Sequence, residues 1–269
     1  MESLEQRIAA VRARIAAAAR RAGRPPEAVR LVAVTKGHPP ELVRAALAAG
    51  LAEFGENRVQ EAEAKIAALA DPRARITWHL IGHLQTNKAK KAAALFDIIH
   101  SVDSLRLAEI LAKFLMQRAE FTAGDHAPVT PPTAHPSPPP HPGTLHSELG
   151  TPILLQVNVS GEATKEGFDL AAWETRPAAR DAFLADVERI LRLPGLQVRG
   201  LMTIAPWGPD PEAARPVFAA TRRLRDQLAA RFPQTDWREL SMGMTDDFEV
   251  AIEEGATIVR IGRALFGER

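Results

Sequence analysis

A lysine at the end of a short apolar segment has the most distinctive chemical potential in this chain. Residues 31–35 are typical of a buried β-strand, and Lys36 occupies the last position of the predicted strand. Burial there disfavours the ammonium form, and a neutral amine is what forms an imine with an aldehyde. A lysine that reaches solvent from the strand end is the alternative interpretation, and this pattern alone leaves both open.

Glycine-containing turns after the last two predicted strands are candidate phosphate sites. Ser241 and Gly243 follow the seventh strand and Gly262 follows the eighth. Backbone N–H groups at such turns converge on an anion, glycine permits close approach, and the Ser241 hydroxyl can donate. Arg260 precedes the second turn and can point inward, although a strand-end arginine paired with a carboxylate is the alternative. Together with Lys36, these residues predict a phosphorylated aldehyde, most simply pyridoxal 5′-phosphate (PLP).

The composition excludes several other classes of protein and site. The 34 lysines and arginines nearly balance the 33 aspartates and glutamates of the 269 residues, which gives no electrostatic case for nucleic acid or a membrane surface. The absence of cysteine excludes disulfides and thiolate chemistry. No apolar run approaches the roughly 18–20 residues of a membrane span, and the N-terminus does not resemble a signal peptide. We therefore expect a cytoplasmic, monomeric protein.

Eight strand–helix units must position the candidate residues. An amphipathic helix over residues 3–22 precedes them, and each unit has short connections, which favours parallel strands with right-handed crossovers. The pattern predicts one (β/α)₈ TIM-type barrel over residues 1–269, with its active face at the carboxyl ends of the strands. The predicted strands are 31–36, 51–55, 76–81, 96–101, 153–159, 196–202, 237–240 and 256–261.

A segment rich in proline and histidine interrupts the repeat over residues 122–151. Its composition predicts a flexible loop with local polyproline II character. Its four histidines suggest a weak metal-binding tract, but neither their spacing nor a frame of acidic residues supports one. An interdomain linker is also conceivable, yet strands of the same type continue after it. We therefore interpret the segment as a loop inserted after the fourth unit.

Six short runs, distributed along nearly the whole chain, resemble the pyridoxal-phosphate homeostasis protein family. This family consists of single-domain relatives of the N-terminal barrel of alanine racemase. Six motifs in the same order are difficult to obtain by chance, and the proline-rich segment is the main part that lacks a counterpart. The runs are AVTK (33–36), FGENRVQE (54–61), WHLIGHLQTNK (78–88), GLM (200–202), SMGMTDD (241–247) and VRIGRALFG (259–267).

The resemblance implies a fold, a cofactor and a set of site residues. It implies intracellular PLP homeostasis, in which the protein carries the cofactor without turnover of its own and PLP-dependent apo-enzymes are possible recipients. Lys36 would form the Schiff base. The phosphate contacts would come from Ser241, Gly243 and Gly262, and the residues lining the cofactor would be Asn57, Met202 and Arg260.

Some positions depart from the family pattern or carry other candidate chemistry. Gly37-His38 stands where proline often follows the lysine, Arg58 replaces a common tyrosine, and Arg263 replaces a small hydroxyl residue. Arg263 either adds a charge to the phosphate site or points away. His79 is predicted to face inward with a hydrogen-bond partner, and the loop residue His83 could approach the cofactor.

Two catalytic interpretations remain beside the carrier. A PLP-dependent racemase or decarboxylase would use the same barrel, but racemisation needs a base on each side of the substrate. In alanine racemase the second base is a tyrosine from a C-terminal domain, whereas this sequence contains no tyrosine and ends soon after the eighth strand. His83 is then the remaining candidate base. An aldolase acting on a sugar phosphate would also use Lys36 and a phosphate site, and a colourless protein would indicate it.

Deleting the segment between Thr122 and Thr151, with a short Gly/Ser bridge in its place, should leave folding and PLP binding largely intact. The segment has too little apolar content to order itself, and closure entropy grows only slowly with loop length. Thermal unfolding and the absorption of bound PLP measure both properties. Loss of the cooperative transition or of the yellow colour would show that the segment packs on the barrel.

Overall fold

The computed structural model describes residues 2–69, 76–123 and 150–268. The predicted proline- and histidine-rich loop lies almost entirely outside these ranges. Its loop character and the domain boundaries therefore stay predictions. Within the described residues, no helix is both long enough and apolar enough to cross a membrane.

Eight parallel strands form a closed barrel, which confirms the predicted fold. β1 pairs with β2 on one side and with β9 on the other, and pairing of β4 with β5 closes the sheet. The short strand β6, which the sequence did not reveal, pairs only with the end of β5. The strands are β1 (Arg30–Val34), β2 (Glu53–Glu56), β3 (Thr77–Leu80), β4 (Ile98–Val102), β5 (Thr151–Asn158), β6 (Phe168–Asp169), β7 (Leu196–Met202), β8 (Glu239–Ser241) and β9 (Ile258–Ile261).

Helices surround the barrel and bury one face each against it. The predicted N-terminal helix is present: a capping box between Ser3 and Gln6 begins it, and it packs on α8 and α9. The Arg7 guanidinium also donates to the Leu265 carbonyl oxygen at 2.7 Å, which ties the two chain ends together. The helices are α1 (Leu4–Arg21), α2 (Pro40–Ala48), α3 (Val59–Ala68), α4 (Ala89–Leu95), α5 (Leu105–Ala123), α6 (Pro177–Ile190), α7 (Arg215–Arg231), α8 (Phe248–Glu253) and α9 (Arg263–Phe266).

The chain leaves the barrel wall earlier at Lys36 than the sequence predicted. β1 ends at Val34, so Lys36 lies in the following turn and not at the last strand position. The Thr35 carbonyl accepts from the His38 N–H at 3.1 Å, and Gly37 has a φ of 75°. This left-handed conformation suits glycine and reverses the chain directly after the lysine.

A buried lysine on α3 fixes the backbone on both sides of Lys36. Lys65 is 4% exposed, and its Nζ donates to the Thr35 carbonyl at 2.5 Å, to Glu56 Oε1 at 2.7 Å and to Glu61 Oε1 at 2.8 Å. Glu61 in turn accepts a hydrogen bond from the Gly37 N–H. One ammonium thus orders the residue before Lys36 directly and the residue after it through Glu61.

Glu56 completes this cluster from β2. It is fully buried, and Oε1 accepts from the Thr35 hydroxyl at 2.6 Å as well as from Lys65. Burial raises the pKa of Glu56, although the hydrogen bonds from Lys65 and Thr35 oppose the shift. The charge of Lys65 therefore compensates the cost of burying the Glu56 carboxylate.

Replacing Lys65 by methionine should lower the free energy of unfolding by about 3–5 kcal/mol, since breaking a buried ion pair leaves its partner uncompensated. Lys91→Met is the matched control, because Lys91 and Glu63 form an exposed pair at 2.7 Å. That substitution should cost less than about 1 kcal/mol. Urea denaturation of the two variants measures both values. Equally small effects would show that the buried cluster does not stabilise the barrel.

Candidate functional site

A cavity of about 450 Å³ opens at the carboxyl ends of the strands and contains four of the seven predicted site residues. Its size lies within the roughly 300–1,000 Å³ of small-molecule sites. Loops that follow β1, β2, β3, β7, β8 and β9 contribute to its wall, as expected for the active face of a barrel. It is lined by Val34, Lys36, His38, Asn57, Ile81, Ile204, Trp207, Met244, Thr245, Asp246, Arg260, Gly262, Arg263, Gly267 and Glu268.

Asn57 supplies an unsatisfied acceptor to this cavity. Its Oδ1 is buried and has no hydrogen-bond partner among the described residues. Close contact between two loops holds the residue in place, because a Cβ at Gly82 would lie 2.4 Å from the Asn57 carbonyl oxygen. Buried polar atoms are rarely left unpaired, so Asn57 Oδ1 marks a position where a ligand donor fits.

Arg260 supplies a buried cation. Nη1 donates to Ser241 Oγ at 2.7 Å and Nη2 donates to the Thr203 carbonyl at 2.9 Å. Burial lowers the pKa of Arg260 to about 10, against the opposing charge of Asp247. At neutral pH the guanidinium is therefore still charged, and it lies at the cavity wall without an ion-pair contact to a carboxylate within the described residues.

The turn after β8 requires glycine. Gly243 has a φ of 92°, and a Cβ there would lie 2.6 Å from Ala251 Cβ. Its carbonyl accepts from the Arg260 N–H at 3.0 Å, and Asp247 Oδ1 accepts from the Met244 N–H at 2.6 Å. These contacts fix the backbone of the turn beside the cavity.

The second glycine turn lies across from β1. Gly262 lines the cavity, and a Cβ there would lie 3.2 Å from the Val34 carbonyl oxygen. Arg263, which replaces the small hydroxyl residue of the family pattern, follows Gly262 and donates to both Asp246 carboxylate oxygens at 2.5 and 2.6 Å. Its charge is thus already paired at the cavity rim.

Three of the predicted site residues lie behind the cavity wall. Met202 is fully buried inside the barrel, where it packs with Val32, Leu154 and Ile258. Ser241 is also fully buried, and its hydroxyl already contacts Arg260. Gly243 shapes the turn without lining the cavity. The predicted contacts of these residues with a ligand stay predictions.

The two histidines of the third unit differ in position. His79 faces inward, as predicted, and its Nδ1 lies 2.9 Å from His100 Nε2. His83 lies outside the Lys36 cavity, in an adjoining cavity of about 240 Å³, and its Nδ1 is 3.1 Å from Asp103 Oδ2. Asn57 lines both cavities.

Sequence reasoning missed several residues at or near the site. Trp207 lines the cavity although it is 80% exposed, and nothing in its sequence context indicated a role. The Lys65 cluster was also missed. The spacing of Glu61 and Lys65, four residues apart on a helix, was its one available signal, and such pairs are usually exposed.

Comparison with known proteins reveals relatives over the full length. The alanine racemase N-terminal domain family matches residues 7–269. The pyridoxal phosphate homeostasis protein of Pseudomonas aeruginosa is 43% identical over 270 residues, which cover 100% of this chain and 97% of that protein. The protein of the same name from Escherichia coli is 36% identical over 273 residues, with coverage of 100% and 98%.

Solved structures agree with these relationships. PipY from Synechococcus elongatus, with PLP bound, has 36% identity and a TM-score of 0.74, and the match covers 98% of this chain and all of PipY. An alanine racemase from Clostridium difficile has 11% identity and a TM-score of 0.60 over 90% of this chain and 55% of that enzyme, and so supports the fold alone. The chain belongs to the pyridoxal phosphate homeostasis proteins, within the alanine racemase N-terminal domain family.

Proposed function

We propose that this protein binds PLP in the Lys36 cavity and acts in PLP homeostasis, holding the cofactor and delivering it to apo-enzymes without turnover of its own. The observation that carries this proposal is the convergence of Lys36, Asn57, Arg260 and Gly262 on one cavity. Relatives named for PLP homeostasis and the PLP-bound structure of PipY support it. A monomeric state and a cytoplasmic location remain predictions.

The residues present fit the chemical groups of PLP. Lys36 would hold the cofactor as an imine formed with the aldehyde of PLP. The unpaired Asn57 Oδ1 could accept a hydrogen bond from the ring hydroxyl. The glycine turns at Gly243 and Gly262 would receive the phosphate. When bound, PLP supplies an electron sink for reactions of amino acids, and a charged Arg260 near the ring nitrogen would keep that nitrogen unprotonated and weaken this sink.

The arrangement of bases favours a carrier over a racemase or decarboxylase. Racemisation needs a second base opposite the lysine, and the sequence contains no tyrosine. His83, the remaining candidate, contacts Asp103 in the adjoining cavity.

Lys36→Ala should abolish the imine absorption band and borohydride trapping of PLP, because no amine remains at this position. The glycine turns and Arg260 are unchanged, so weaker, non-covalent binding of PLP should persist. Absorption spectra before and after borohydride reduction, together with a PLP titration, measure both properties. Lys91→Ala is the control, since Lys91 is exposed on α4 and outside the cavity. An imine band in Lys36→Ala would identify another lysine as the attachment site.

The protein loaded with PLP should not racemise amino acids at an enzymatic rate. NMR in heavy water, with a panel of common amino acids, would follow exchange of the α-proton. We expect exchange no faster than with free PLP, because the sequence contains no tyrosine to act as the second base. Stereorandom exchange at about 1 per second or faster, the low end of ordinary enzymes, would overturn the carrier proposal.

A further inference from the structure

A continuous chain of polar contacts crosses the interior of the barrel below Arg260. His100 Nδ1 lies 2.9 Å from Ser241 Oγ, and His100 Nε2 lies 2.9 Å from His79 Nδ1. His79 Nε2 lies 3.2 Å from Glu53 Oε2. His79, His100 and Ser241 are each fully buried, so bulk solvent does not reach these side chains. None of the functional roles considered above uses the two histidines.

This chain of polar contacts joins the two ends of the barrel. Arg260 lines the Lys36 cavity at the carboxyl ends of the strands. Glu53 begins β2 and lines a separate cavity of about 230 Å³ at the amino ends, where Arg30 lies 3.8 Å from it. Burial favours the neutral form of Glu53, but the adjacent His79 imidazole and the charge of Arg30 outweigh it and lower the pKa of Glu53.

The chemistry of the two end groups sets the direction of every hydrogen bond between them. A guanidinium can only donate, so Ser241 Oγ accepts from Arg260. A carboxylate only accepts, so we assign the proton of His79 to Nε2, which lies 3.2 Å from Glu53 Oε2, although the two atoms do not complete a hydrogen bond in this structure. His79 then accepts at Nδ1 from His100 Nε2, and His100 accepts at Nδ1 from the Ser241 hydroxyl.

Burial favours the neutral imidazole of His100, which this order of hydrogen bonds requires. Desolvation, with smaller contributions from the charges of Arg260 and Arg30, holds the pKa of His100 well below its usual value. If His100 carried its proton on Nδ1 instead, Ser241 Oγ would accept twice. Its own hydrogen would then have no acceptor within the described residues.

We propose that His100 and His79 are positioning residues for Arg260, holding its guanidinium through Ser241 in one orientation at the cavity wall by an ordered chain of polar contacts that ends at Glu53. This inference rests on the proposed binding of PLP, and it specifies which groups would contact the phosphate. The Ser241 proton is committed to His100 and is not available to a phosphate. Recognition of the phosphate then belongs to the backbone of the glycine turns, and the role of Ser241 is exerted through Arg260 on the ring.

Nitrogen-15 NMR of the histidines in the cofactor-free protein at pH 7.5 tests the order of the chain directly. We expect both His79 and His100 to carry a proton on Nε2 and none on Nδ1. Signals are assigned by their loss in His79→Gln and His100→Leu. A proton on His100 Nδ1, or a doubly protonated His79, would reverse the direction of the chain and overturn the inference. This measurement uses the wild-type protein and does not depend on whether a variant folds.

Binding of PLP and of pyridoxal, which lacks the phosphate, tests the function of the chain. Ser241→Ala and His100→Leu should each weaken both ligands by the same factor, roughly tenfold to a hundredfold for one charge-assisted hydrogen bond. The ratio of the two affinities should therefore stay at its wild-type value. Thr221→Val is the control, because Thr221 is a fully buried hydroxyl on α7 that bonds to the Val217 carbonyl outside this chain.

Each contrary result has a distinct meaning. If Ser241→Ala weakens PLP but not pyridoxal, Ser241 contacts the phosphate directly and the inference is wrong. If folded His100→Leu binds both ligands as the wild type does, the histidines do not position Arg260. Failure of the wild type to bind PLP would overturn the proposed function itself. The PLP titration of the wild-type protein shows this independently of the variants.

Discussion

The position of Lys36 depends on a single buried ammonium, that of Lys65. It bonds to the carbonyl of Thr35 and, through Glu61, holds the N–H of Gly37, so both neighbours of Lys36 are fixed by one charge. A buried ammonium is stable only when its partners are complete, and Glu56 and Glu61 supply them. The flexible side chain of Lys36 thus projects from a backbone that cannot shift without exposing or unpairing this cluster.

Across the cavity, Arg260 is held by the same principle with a different set of groups. Its guanidinium bonds to the Ser241 hydroxyl and the Thr203 carbonyl, and the polar residues beneath it continue to Glu53 at the far end of the barrel. The interior of this barrel is therefore not uniformly apolar. An apolar layer around Met202 and a polar chain through His100 share it, and the contacts of His100 and Ser241 compensate the burial of these two side chains.

The two supports bear on the proposed carrier function, in which this cavity would hold PLP without turnover. Lys36 and Arg260 are held on rigid elements, which suits tight and specific recognition. His83 is occupied with Asp103 outside this cavity, and Trp207 is exposed at its mouth. Under the proposed function, Lys36 would hold PLP and the fixed cation of Arg260 would contribute to its recognition.

The sequence by itself determined the barrel, because eight apolar strands with short connections allow few other arrangements. It also determined the candidate lysine, the candidate arginine and the glycine turns, because residue type and order are local properties. The tertiary structure alone decided that Lys36 lies past the end of β1, that Ser241 and Met202 lie behind the cavity wall, and that Lys65 and His100 support the site. Partners 30 residues apart, such as Thr35 and Lys65, or 141 apart, such as His100 and Ser241, leave no periodic signal. Burial and hydrogen-bond direction arise only when distant segments meet, so composition and spacing cannot reveal them.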